Sequence, residues 1–173
     1  MSKAFLPSSG AGGVQKKEEE KLLDKPKLKV DPRILKKISV LRQKAKDLLS
    51  QKKFEEALAL LDTAIELNST SYKLYRLRSI ALSCLQQYER AAIDADRVIE
   101  LAPSVMDGYY HKGFALFYMQ DYAGAAHAFQ SGLRLNPTDK TLRQGFWDAV
   151  SLVAQGRTCP ENFDFDDVSI TNR

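Results

Sequence analysis

A 34-residue period constrains this chain more than any other feature. Phe54, Tyr88 and Tyr122 recur at that interval, and three positions after each stands an alanine, Ala57, Ala91 and Ala125. Fifteen positions after each aromatic comes Ser69, Pro103 or Pro137, and before each lies an aliphatic at matching offset, Leu48, Leu82 or Leu116. A unit this short cannot bury an apolar face alone. A fixed period of this length therefore means helix–turn–helix units that stack and share a core.

The pattern inside each period supports helices. Asp31-Pro32 reads as an N-cap followed by proline in the first turn. From there Ile34, Leu35, Ile38, Leu41, Ala45, Leu48 and Leu49 recur at three and four, one apolar stripe of a helix running to about Ser50. Lys52-Lys53 makes a turn, and Phe54 opens a partner helix with Ala57, Leu58, Leu61, Ala64 and Ile65 inward. Further pairs are predicted over about 71–85 with 88–101, and 104–119 with 122–135. Pro103 and Pro137 are each expected at the start of a new helix, where a missing N–H costs nothing. A seventh helix with Leu142, Phe146, Trp147, Ala149, Val150 and Val153 follows and stops at Gly156. Having no partner, it suits the cap that a solenoid's last apolar face requires, with Trp147 assigned to the core. The fold class is all-α: a solenoid of three helix pairs with a C-terminal capping helix.

Charge separates the repeats from what flanks them. Residues 1–37 hold ten Lys/Arg and five Asp/Glu, a net of +5 within a chain total of +4, so the rest sums to −1. Residues 1–31 read as a disordered basic arm, Gly/Ser-rich and then charge-dense. Residues 156–173 read as a tail in which Phe163 to Val168 alternate apolar and acidic. The repeat domain is placed at 32–155, with repeats at about 38–71, 72–105 and 106–139 and the capping helix at 138–155. Cys84 and Cys159 lack metal or redox spacing and read as unpaired thiols of a reducing compartment. No apolar run approaches the ~20 residues that span a bilayer, and none forms a secretory signal. A cytoplasmic protein is expected.

The repeats resemble the tetratricopeptide repeat. The third carries Tyr109, Gly113, Leu116, Tyr122, Ala125, Phe129, Gly132 and Pro137. The second carries Tyr75, Ser79, Leu82, Tyr88, Ala91, Ala95, Val98 and Pro103. The first carries Leu41, Ala45, Leu48, Phe54, Ala57, Leu61 and Ala64, with Ser69 for the proline. Small residues let paired helices approach, and large ones fill the gaps. Three such repeats plus a cap are similar in layout to the domains of chaperone-organising co-chaperones, whose two-carboxylate clamp holds chaperone C-termini. The clamp positions here hold Arg42, Lys46, Leu77, Asp107 and His111. Only Arg42 fully satisfies that pattern: Leu77 cannot bond a carboxylate, and Asp107 would repel one. The resemblance implies the shape while the clamp is mostly absent, which argues against chaperone tails held in the usual way.

The resemblance also implies that the first helix of each pair lines a concave groove. Its wall would carry Arg42, Lys46 and Leu49, then Lys73, Arg76, Ile80 and Cys84, then Asp107, Tyr110, His111, Phe114, Phe117 and Tyr118. One end is basic and the other aromatic, matching a protein segment with carboxylates at one end and a bulky apolar group at the other. In the alternative, these lysines are ordinary surface residues and Phe114 and Phe117 are partly core. The tail segment 163–168 has the chemistry that such a groove takes.

No catalytic constellation is present. His111 and His127 lack partners at ligand spacing, and Gly10, Gly12 and Gly13 do not form a phosphate loop. The chain reads as a non-enzyme without cofactor, metal or small-molecule substrate. The leading function is a protein-interaction adaptor, co-chaperone-like in layout. A structural subunit of a cytoskeletal or ciliary assembly is a second reading. A third is RNA or an acidic surface bound through the basic arm, although no aromatics are interleaved there for base stacking.

Overall fold

The computed structural model describes residues 31–156. The basic arm and the acidic-aromatic tail lie outside the described residues. Within them run seven helices and no strand: α1 (Pro32–Ser50), α2 (Phe54–Leu67), α3 (Tyr72–Cys84), α4 (Tyr88–Leu101), α5 (Met106–Tyr118), α6 (Tyr122–Leu135) and α7 (Lys140–Ala154).

The period has a backbone counterpart. Lys52, Gln86 and Gln120 have φ of 60°, 59° and 65°, the left-handed conformation, at the same point of three successive turns. At each turn the next residue's N–H reaches back to the conserved-offset leucine: Lys53 to the Leu48 carbonyl, Gln87 to Leu82 and Asp121 to Leu116, at 2.9–3.0 Å. This is a Schellman-type closure, which satisfies helix-end carbonyls and folds the chain sharply back on itself. The two helices of each pair so joined are antiparallel, and the four-residue turns 102–105 and 136–139 fold α5 back on α4 and α7 on α6, which they pack against, so α3, α5 and α7 run in one direction and α4 and α6 in the other.

Packing follows the small and large positions. Ala45, Ala57, Ala64, Ala91, Ala95, Ala115 and Ala125 are fully buried and bring helix axes close. One core cluster joins Ile38, Leu61, Ile65, Leu74, Tyr75, Leu77 and Val98. A second joins Phe129, Leu133, Leu142, Phe146 and Ala149. The Phe129 ring is held between two glycines: a Cβ on Gly113 or on Gly145 would stand 2.7 Å from ring carbons. α3 packs on α5 and α5 on α7, while the alternate helices α2, α4 and α6 have no such mutual approach among the described residues. The stack therefore closes up on the α3–α5–α7 side, which makes that side the inner one.

Three expectations are corrected. Pro103 and Pro137 sit in the turns, since α4 ends at Leu101 before α5 begins at Met106, and α6 at Leu135 before α7 at Lys140. The carbonyl of Pro103 accepts the Tyr109 hydroxyl at 3.1 Å, as that of Ser69 accepts Tyr75 at 3.2 Å, so the breaker anchors the next helix from outside it. Trp147 is 53% exposed, because Phe146 takes the inward position and the following residue points about 100° away around the helix. Leu35 is 48% exposed. Ile34 packs against the core cluster and Ile38 is buried in it, so the inward positions of this end of α1 are taken and Leu35, one residue round the helix, points out. Gly156 has φ +71°, the left-handed stop expected after the last helix.

Candidate functional site

Two pockets lie next to each other along α3 and α5 on the inner side. The first, about 220 Å³, is lined by Arg42 and Lys46 of α1, Tyr72, Lys73, Arg76 and Leu77 of α3, and Asp107 of α5. The second, also about 220 Å³, is lined by Ile80, Ser83, Cys84, Tyr110, His111 and Phe114. On α3 their linings are centred about eight residues apart, which at 1.5 Å per residue is about 12 Å.

The first pocket is cationic. Four basic side chains face one carboxylate, and that carboxylate is engaged: Arg76 Nη1 donates to Asp107 Oδ2, linking α3 to α5. Arg42, Lys46 and Lys73 have no carboxylate at ion-pair distance among the described residues. Lys73 Nζ lies 5.9 Å from the Tyr72 ring centre, a cation–π contact that holds it at the mouth. Leu77, 5% exposed, belongs to the core and forms the pocket floor. Arg76 Nε is buried without a hydrogen-bond partner, so this pocket has donor capacity to spare.

The second pocket is apolar with polar points. Burial holds the His111 imidazole down at a pKa of about 4, against a smaller upward pull from Asp107 and a downward push from Arg76. The ring is therefore neutral near pH 7 and adds no charge. Burial likewise raises Tyr110 and Cys84, so phenol and thiol both stay protonated. Ser83 Oγ is buried without a partner, and Cys84 lies exposed at the rim.

The structure thus brings Arg42, Lys46, Lys73 and Arg76 together, and Ile80, Tyr110, His111 and Phe114 beside them. Phe117 and Tyr118 line neither pocket. Tyr118 stacks on Tyr88 with centroids 5.1 Å apart and packs on Phe114 at 4.7 Å, while Phe117 meets Tyr122 at 5.3 Å. They extend the aromatic surface from the second pocket to the end of α5. Sequence reasoning did not assign Tyr72 and Ser83 to the wall. Their signal was spacing, since Tyr72 lies four residues before Arg76 and Ser83 three after Ile80 on the same helix.

Away from the groove, sequence reasoning missed an ion cluster. Arg78 gives Nε and Nη2 to Asp94 at 2.7 and 2.8 Å and Nη1 to Asp62 at 2.7 Å. Its guanidinium lies 5.5 Å from the Tyr75 ring centre. The two acids hold the guanidinium pKa well above its usual value despite burial. Three residues from α2, α3 and α4 are tied here, with Asp94 only 3% exposed.

Comparison with known proteins agrees with this architecture. The Tetratricopeptide repeat family profile matches residues 106–139. The chain is 37% identical over 102 residues to the Hsp70-Hsp90 organizing protein of Triticum aestivum, covering 59% of this chain and 18% of that protein. It is 28% identical over 121 residues to serine/threonine-protein phosphatase 5 of Rattus norvegicus, covering 70% of this chain and 24% of that one. The chain therefore spans a quarter or less of the length of these relatives. Among solved structures, the first TPR of Spaghetti (RPAP3) bound to the HSP90 peptide SRMEEVD superposes with TM-score 0.67 at 22% identity, covering 69% of this chain and 94% of that one. The Sgt2 TPR domain of Aspergillus fumigatus gives 0.65 at 21%, covering 77% and 91%. The fold is that of tetratricopeptide-repeat domains. Residues 106–139 carry a tetratricopeptide repeat, and the described residues form an all-α solenoid of that type closed by a capping helix.

Proposed function

We propose that the chain is a non-catalytic adaptor that holds an acidic, apolar-anchored segment of a partner protein in the groove along α3 and α5. The observation that carries this is the pairing of a cationic pocket with an apolar one about 12 Å apart. An extended peptide rises about 3.3 Å per residue, so its acidic side chains and its apolar anchor would stand three or four residues apart. Arg42, Lys46 and Lys73 supply the charge. Ile80, Tyr110 and Phe114 supply the apolar wall, with neutral His111 between the two halves.

Two solved neighbours are complexes with peptides of this kind, SRMEEVD from HSP90 and SGPTIEEVD from HSP70. Both combine clustered glutamates with an apolar residue, which supports a co-chaperone-like role. In this chain Asp107 occupies Arg76 and Leu77 is part of the core, so the reading here is recognition of side-chain carboxylates rather than of a chain end.

Calorimetry with synthetic peptides tests this. A peptide with phenylalanine three and four positions from two aspartates should bind. Moving the aspartates next to the phenylalanine, or substituting Arg42→Glu with Lys73→Glu, should each lower affinity about tenfold or more. Equal affinity of the doubly substituted and native proteins would refute the electrostatic half of the reading.

A further inference from the structure

We infer that residues 163–168 of this same chain, Phe-Asp-Phe-Asp-Asp-Val, are an internal ligand of the groove, which rests on the peptide-binding reading above. Four observations converge on that occupant.

The first is the exit point. α3, α5 and α7 are parallel, so Cys84, Tyr118 and Ala154 end their helices on one side of the stack. The chain leaves α7 on the side where the apolar pocket opens. The second is reach. From α7 to α3 is two packed-helix spacings, about 20 Å. The seven residues from Gly156 to Phe163 extend to about 23–25 Å.

The third is register. With Phe163 in the pocket of Ile80, Tyr110 and Phe114, a chain running back along α3 places Asp166 and Asp167 about 10–13 Å further on. That is the separation of the cationic pocket from the apolar one. The fourth is charge. Residues 161–168 hold Glu161, Asp164, Asp166 and Asp167 and no base, against Arg42, Lys46 and Lys73, which have no carboxylate partner among the described residues. The segment therefore competes with partner peptides. A partner must bind more tightly than a tethered rival, or the tail must be removed from the groove by some other event.

Cys84, at the rim of the apolar pocket, reports occupancy. In full-length protein carrying Cys159→Ser, the rate of Cys84 alkylation by N-ethylmaleimide is followed by mass spectrometry. Adding Phe163→Ser, Asp166→Asn and Asp167→Asn should raise that rate about fivefold or more, the change expected for a segment bound about four-fifths of the time. Arg42→Glu with Lys73→Glu on the native tail should raise it similarly. The rate should not vary over about a hundredfold range of protein concentration, as an intramolecular contact requires.

Equal rates with native and substituted tails would overturn the inference, and protection that grows with concentration would overturn its intramolecular form. Saturating the tail-substituted protein with the calorimetry peptide separates the two levels. Protection of Cys84 by that peptide, without protection by the native tail, sinks this inference and leaves the groove reading standing. Protection by neither sinks both.

Discussion

His111 shows how one side chain's surroundings set its chemistry. Its folded pKa of about 4 lies below the ordinary 6.5 because burial penalises the imidazolium. As pH falls from about 6.5 to about 4, the unfolded chain takes up a proton that the folded chain refuses, so stability drops across that window, by up to about 3 kcal/mol. Replacing His111 with Asn should remove that share of the pH dependence, measured as urea midpoints at several pH values. An unchanged slope would mean that the imidazole is solvated. Gly113 is a second single-residue test. A Cβ there meets the Phe129 ring at 2.7 Å, and the ring is held from the other side by Gly145. Gly113→Ala should therefore destabilise by about 1–2 kcal/mol despite the helix propensity it gains. At this scale the sequence was partly legible. Position told that Arg76 and Asp107 share the groove, but their direct pairing depends on side-chain reach across helices. Trp147 misled because an apolar residue beside Phe146 matches the stripe equally well on paper, and only packing chose between them.

Between elements, the Arg78–Asp94–Asp62 cluster holds three helices of two successive repeats. Removing Asp94 leaves a guanidinium, 21% exposed in its side chain, with one acid instead of two. Asp94→Ala should cost about 3 kcal/mol, whereas replacing Arg78 with Met and both acids with apolar residues together should cost much less than the single changes add up to. Chemical denaturation of the set gives the coupling energy, and additive costs would show that the three side chains act separately. The turns make a different test. Gln86 has φ 59°, so Gln86→Val should destabilise by about 1–2 kcal/mol while Gln86→Gly should be near neutral. Helix number, order and most bounds were readable from the period, because the period is itself a packing rule. The left-handed residues were not, since lysine and glutamine carry no signal for that conformation. Nor was the ion cluster, whose members lie 16 residues apart on neighbouring helices.

For the whole repeat domain, the account stands on a division of labour across its inner wall: cations from α1 and α3 at one point, aromatic and aliphatic side chains from α3 and α5 at another. Which helices form that wall followed from the resemblance to tetratricopeptide repeats. That the aromatic end divides, with Phe114 in the pocket, Tyr118 stacked on Tyr88 and Phe117 edge-on to Tyr122, needed coordinates. The most direct measurement is a map of amide and side-chain NMR shifts in labelled full-length protein titrated with a peptide bearing phenylalanine three and four positions from two aspartates. The account predicts shifts concentrated at Ile80, His111 and Phe114 for the phenylalanine, and at Arg42, Lys46 and Lys73 for the aspartates. Shifts confined to α2, α4 and α6, or none at saturating peptide, would contradict it.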